Sequence, residues 1–163
     1  MKRPRKDKHR PLLEGLSDAS TRRFPRYAPD ELDTWPEAER LAVVVRLMHG
    51  QLVHNGAMFW IINDYWPLDG AIRRILRSVP TESSRQVRAL LVKLDRIGHR
   101  ATHLESLDMT PAIEAALDRL AVRCHAIDLA YAAIHRRFRD DVETALRRLT
   151  RAPHRAPRRR APA

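Results

Sequence analysis

Apolar residues recur at helical spacing along most of this chain. From 41 to 52 they fall at i, i+3, i+4, i+7 and i+11, and from 87 to 104 they mark one face of a helix over about five turns. A third series, from 113 to 138, alternates steps of four and three residues, which is typical of a helix packed along its whole length. Because there are only five glycines to make tight turns, the pattern predicts an all-α fold, a compact single-domain bundle of about five to seven helices.

The first long helix has recognisable start and stop signals. Thr34 is predicted to be its N-cap and forms a capping box with Glu37, three residues later. The helix carries the first apolar series and ends near His54, because Asn55 and Gly56 tolerate the left-handed backbone that closes a helix.

Proline and threonine positions divide the middle of the chain into further helices. The nearly all-apolar stretch 57–63 is predicted to be a short buried helix, with a buried strand as the alternative. Pro67 and Pro80 bracket the next helix. Thr81 then caps a longer helix that carries the second apolar series and ends near Ser106.

A loop is predicted at the N-terminal end of the helical region, and a long helical segment at its C-terminal end. Residues 11–27 are predicted to form a loop with one helical turn. A helix restarts at Pro111 and carries the third apolar series, whose face fits either the core or a homodimer interface. Asp140 and Glu143 have the spacing of another helix start, so that residues 113–149 form either one helix or two.

The formal charge of +11 is concentrated in two tails that mix arginine with proline. The chain therefore divides into a basic tail at 1–11, a helical domain at 12–150 and a second basic tail at 151–163. The domain is close to balanced and is not expected to present one strong field. The tail cations are Lys2, Arg3, Arg5, Lys6, Lys8, Arg10, Arg155, Arg158, Arg159 and Arg160.

Both tails lack apolar residues that could be buried, so they are predicted to be disordered. Their cations could neutralise phosphates without reading sequence, which makes non-specific binding of a nucleic-acid backbone one candidate function. The N-terminal tail is not followed by the apolar segment of a secretory signal, and no stretch reaches the ~18 apolar residues of a membrane span. The chain is therefore expected to be cytoplasmic and not membrane-bound.

Three short segments carry a resemblance to a known family. They are Leu52 to Trp60 (LVHNGAMFW), Asn63 to Tyr65 (NDY) and Ile127 to Ile134 (IDLAYAAI). Together they resemble the DNA-mimic protein 19-like family over residues 37–149. The resemblance implies an all-helical domain without catalytic activity that binds a protein partner such as a transcriptional regulator. Ala57 replaces a family glycine and the domain is not acidic, so mimicry of DNA itself is not expected.

The polar and aromatic residues of these segments are the candidate site. The aromatic side chains could form a stacking platform for bases, but their neighbours Met58, Ile61 and Ile62 favour packing in the core. Any pocket in this region should be lined by the polar members. The candidate residues are Asn55, Gly56, Trp60, Asn63, Asp64, Tyr65 and Tyr131.

No pattern in the chain indicates catalysis or a cofactor. Nucleophile elbows, cysteine–histidine signatures and glycine-rich phosphate loops are absent from the sequence. His99 and His103 have the spacing of two metal ligands but lie opposite the apolar face, where solvent exposure is expected. Cys124 has no partner at ligand spacing and is predicted to be a buried thiol. The sequence therefore predicts a non-catalytic interaction module with no metal and no cofactor.

Overall fold

The structure, a computed structural model, describes residues 11–23 and 32–151, and this part of the chain is helical without any strand. The all-α prediction is therefore confirmed. Short 3-10 turns at Trp66–Leu68 and Leu76–Ser78 flank the fourth helix. The helices are α1 (Leu12–Arg23), α2 (Glu37–His54), α3 (Gly56–Ile62), α4 (Asp69–Ile75), α5 (Glu82–Glu105) and α6 (Pro111–Arg151).

Helix α6 is the longest helix of the bundle and lies at its centre. It has 41 residues, a length of roughly 60 Å at the rise of an α-helix, and it packs against α1, α2, α3 and α5. It runs through Asp140 without a break, so residues 113–149 form one helix. The third apolar series packs against other helices of the same chain. Its buried members are Leu120, Cys124, Ile127, Tyr131 and Phe138.

The prediction of a loop at residues 11–27 is wrong, because 12–23 form helix α1. Leu13 and Ser17 are buried. The backbone N–H groups of Leu12 and Leu13 donate to the Glu143 carboxylate at 2.9 and 3.1 Å. A carboxylate from α6 thus satisfies two of the free N–H groups at the start of α1 and suits the positive end of its dipole. Residues 24–27 of that prediction lie outside the described residues.

The predicted N-cap at Thr34 is also wrong. Pro36 directly precedes the first residue of α2 and no side chain caps this helix end. Thr34 lies two residues too early because residues 32–35 form a turn, closed by the Trp35 N–H donating to the Leu32 carbonyl at 3.2 Å. Trp35 is buried, so packing of the indole sets where the helix begins.

Helix α2 ends as predicted, but only one of the two expected residues takes the left-handed backbone. Gly56 has φ +80°, whereas Asn55 stays right-handed at φ −117°. Gly56 then opens the predicted short helix, α3. That helix is only partly buried, because Ile62 is 65% exposed and Phe59 is 40% exposed.

The boundaries of the later helices agree with the sequence. The Thr81 hydroxyl accepts the Ser84 N–H at 3.3 Å and caps α5. Helix α5 ends at Glu105 with Ser106 as its C-cap, and α6 starts at Pro111. No helix in the described part of the chain is long and apolar enough to cross a membrane.

Candidate functional site: a cationic groove between α5 and α6

The first and last motif segments meet in the structure, but they make a structural joint. The N–H of Ala57 donates to the Asp128 carboxylate at 2.7 Å. A Cβ atom on Gly56 would lie 3.1 Å from the same carboxylate, so glycine permits both the left-handed backbone and the close approach of α6. The pair Gly56 and Asp128 therefore fixes the start of α3 on α6.

The polar candidates of the middle segment do not surround a pocket. Asn55, Asn63 and Asp64 are exposed. The Asn55 amide donates to the Gln51 side chain at 2.7 Å, and the Asn63 amide donates to the Phe59 carbonyl at 3.0 Å. Asp64 has φ +53° in the turn that follows α3. These residues therefore serve the local structure at the two ends of α3.

Trp60 and Tyr65 belong to the packed interior rather than to a stacking platform. Trp60 is fully buried, and its ring lies 5.2 Å from the half-buried ring of Tyr65. The indole N–H donates to Asp69 at 3.1 Å. Burial raises the pKa of Asp69 to about 8, the largest influence on this group. Sequence reasoning missed Asp69, because an acid in the first turn of a short helix looks like an ordinary helix start.

The last sequence candidate, Tyr131, is buried and pairs with a histidine. Its hydroxyl lies 3.0 Å from His49 Nδ1. Burial is the main cause that raises the pKa of Tyr131 and that lowers the pKa of His49 to about 4. Tyr131 is therefore a phenol and His49 a neutral imidazole at neutral pH.

A groove that sequence reasoning missed runs between α5 and α6, with a volume of about 330 Å³. Leu90 and Ile97 of α5 and Leu120 and Ile127 of α6 form its apolar part. All four are buried members of the main hydrophobic core. The groove is thus an opening onto the core, held in shape by the packing of the two longest helices.

Four cations surround this groove, and no acidic residue lines it. Lys93, Arg96 and Arg100 recur at steps of three and four on one side of α5, and Arg123 comes from α6. All four are exposed. Within the ranges 11–23 and 32–151, the ion pairs of the fold involve other arginines and histidines, so these four cations have no internal counter-ion there.

The acidic residue nearest in sequence to the groove cations of α5 is Asp95, and it pairs with residues outside the groove. Asp95 contacts Arg73 at 3.6 Å and His99 at 3.7 Å, on the side of α5 that faces away from the groove. The segregation explains how a domain with balanced charge presents one locally basic face. The spacing of the three α5 cations is visible in the sequence, but the contribution of Arg123 depends on how α6 packs against α5.

The other residues considered for chemistry have structural environments. His99 and His103 are exposed, as predicted, and the His99 ring lies against Trp66 at 4.5 Å. Cys124 is a buried free thiol, as predicted, and burial raises its pKa to about 11. In the described part of the chain no group of three His, Cys, Asp or Glu residues is placed to hold a metal ion.

The tail cations, from Lys2 to Arg10 and from Arg155 to Arg160, lie outside the described residues. Comparison with protein-family models, with curated proteins and with solved structures gave no match. The family resemblance of the motif segments therefore stays a prediction. The groove combines an apolar base with four exposed cations, and it is the candidate binding site.

Proposed function

We propose that this chain is a non-catalytic helical interaction module that binds an acidic amphipathic helix of a partner protein in the α5–α6 groove. The observation that carries the proposal is the pairing of an apolar base with four exposed cations that have no counter-ion among the described residues. Apolar side chains of the partner would cover the base, and its carboxylates would meet the cations.

The dimensions of the groove suit a short helical segment. Lys93 and Arg100 are seven residues apart, which is about 10 Å along α5. Acidic residues seven positions apart on a partner helix span the same length, about 10 Å. Such a ligand would present its apolar side chains between two rows of carboxylates, matching the arrangement of the groove.

Two other occupants fit less well. A second copy that met the groove face to face would bring Arg96 and Arg123 against the same arginines, and like charges at close range cost binding energy. A nucleic acid would use the cations, but no aromatic residue lines the groove for base stacking. The family resemblance would add a transcriptional regulator as one candidate for the acidic protein.

A site-specific photo-crosslinker tests the proposal in cells. Ala126 and Ala133 are exposed residues of α6, and Ala126 lines the groove. A crosslinker at Ala126 should capture a protein at a segment that is both acidic and amphipathic, and the same crosslinker at Ala133 should capture it far less. Crosslinks at Ala126 that map to segments without acidic residues would contradict the proposal.

A pair of charge-reversal variants provides the matched control. Arg96→Glu with Arg123→Glu should abolish the Ala126 crosslink. Arg137→Glu with Arg151→Glu changes the formal charge equally at exposed positions of α6 away from the groove and should leave the crosslink unchanged. If the groove variant instead loses only binding to duplex DNA, the nucleic-acid function is favoured over the protein partner.

A further inference from the structure

A second cationic region lies on the other side of α6. Arg139 follows Arg123 by sixteen residues, which places it about 24 Å further along α6 and roughly 160° around it. Here α1, α2 and α6 enclose a cleft of about 320 Å³. The cleft is lined by Leu13, Glu14, Ser17, Arg46, His49, Gly50, His54 and Arg139.

The histidine in this cleft presents an N–H group to it. Tyr131 is buried, and its hydroxyl has His49 Nδ1 as its hydrogen-bond partner. A buried phenol must place its proton on an acceptor, so Tyr131 donates to His49 Nδ1. The proton of the neutral imidazole is then on Nε2. His49 therefore offers a donor to the cleft that it lines.

The cleft is electropositive at this ring. Burial is the main cause that lowers the pKa of His49. The positive charge of Arg139 lowers it further, and so do the charges of His135 and His54 when these are protonated. Helix α1 supplies two acids nearby. Asp18 pairs with Arg46, whereas Glu14 is 3.8 Å from Arg139 and its side chain is 47% exposed.

We propose that this cleft binds a small oxyanion, a phosphate or carboxylate group of a compact molecule, between Arg139 and His49. The Arg139 guanidinium suits two oxygens at once and the imidazole N–H suits a third contact. The ion pair with Asp18 holds the Arg46 side chain in position. Glu14 competes with the ligand for Arg139 and is displaced into solvent when the ligand binds. This proposal does not depend on the α5–α6 groove.

Binding of an anion here is coupled to protonation. An oxyanion beside the imidazole stabilises the charged form of His49 and raises its pKa. By linkage, the ligand then binds more tightly as the pH falls from the raised pKa of His49 in the complex towards about 4, its pKa without ligand. The other charged groups around the ring are Glu14 and Asp18 of α1, Arg46 and His54 of α2, and His135 and Arg139 of α6.

Calorimetry and histidine NMR on the full chain test the proposal, with inorganic phosphate and succinate as separate probes at constant ionic strength. Wild type should show saturable binding of at least one probe, and the pKa of His49 should rise in its presence. The probe that binds more tightly identifies the type of oxyanion. Arg139→Gln should weaken binding at least tenfold, while Arg137→Gln, which removes an exposed charge of the same helix and keeps both basic tails, should not.

The Glu14→Gln variant distinguishes a ligand site from a merely structural ion pair. Loss of the competing carboxylate should tighten binding several-fold, which no structural role of Glu14 would produce. The proposal is overturned if neither probe binds saturably to wild type, if Arg139→Gln binds as well as wild type, or if Glu14→Gln weakens binding. Failure here would leave the crosslinking result at Ala126 unaffected.

Discussion

The groove and the cleft are both cationic regions built on α6, and they differ in where the acids lie. The groove cations on α5 and α6 have no counter-ion in the described chain, and they surround residues of the main core. In the cleft, α1 supplies Glu14 and Asp18 to two of the arginines. The comparison teaches that net charge is a poor guide to a binding surface, because the placement of a few carboxylates decides which cations are available.

Truncation of an apolar residue at the base of the groove should have the largest effect on stability. Ile97 is 6% exposed, and Ile97→Ala should lower the free energy of unfolding by about 2–4 kcal/mol through lost burial and a residual cavity. Chemical denaturation measures the change. Ile62, which is 65% exposed, is the control, and Ile62→Ala should cost less than about 0.5 kcal/mol. Equal costs would mean that the groove is not part of the core.

The start of α1 should instead respond locally, because a single carboxylate of α6 accepts its first N–H groups. Glu143→Ala removes the acceptor of the Leu12 and Leu13 N–H groups and should destabilise α1 by about 1–2 kcal/mol. Hydrogen exchange should speed up in α1 and stay unchanged in α5. The control is Glu114→Ala, which changes an exposed residue of α6, the helix that also carries Glu143. Equal acceleration in both helices would contradict a local effect confined to α1.

The smallest expected effect is the pH dependence that His49 gives to the cleft. Because the pKa of His49 is lowered from 6.5 to about 4, the unfolded chain binds a proton that the folded chain does not between these values. The contribution of His49 to the free energy of unfolding should therefore rise with pH from about 4 to 6.5, by on the order of 1 kcal/mol for a half-buried group. His49→Gln should remove this rise in pH-dependent denaturation.

Asp69 acts in the opposite direction and must be separated from His49. Its pKa is raised from 3.8 to about 8, so the folded chain holds a proton that the unfolded chain releases. Its contribution to the free energy of unfolding falls as the pH rises through this interval. Asp69→Asn, which keeps an acceptor for Trp60, should abolish the fall between pH 6.5 and 8. A fall that survives in the variant would assign it to another group.

The helices were predictable because their signals are local. Periodic apolar residues such as Leu94 and Leu120 identified the faces of α5 and α6, and Thr81 identified a cap. The missed helix α1, by contrast, depends on a partner distant in the chain. The acceptor for the start of α1 is Glu143, 130 residues beyond Leu13, and no local pattern contains that information.

The candidate site was less predictable than the fold for the same physical reason. Gly56 was singled out from the sequence as a candidate site residue, but its structural role depends on Asp128, which approaches it from α6. The groove needs Arg123 to face Lys93 and Arg96, and this follows only from the packing of two helices. The sequence showed charges that balance, while the structure shows them segregated.

A charge-swap binding measurement tests the central claim most directly. Wild type and the Arg96→Glu with Arg123→Glu variant are each titrated with an amphipathic helical peptide carrying Glu at the positions that flank its apolar face, and with the matching Lys peptide. Wild type should prefer the Glu peptide by about tenfold or more, since each lost charge pair costs on the order of 1 kcal/mol, and the variant should prefer the Lys peptide. Unchanged affinity of the variant for the Glu peptide would contradict the assignment of the groove.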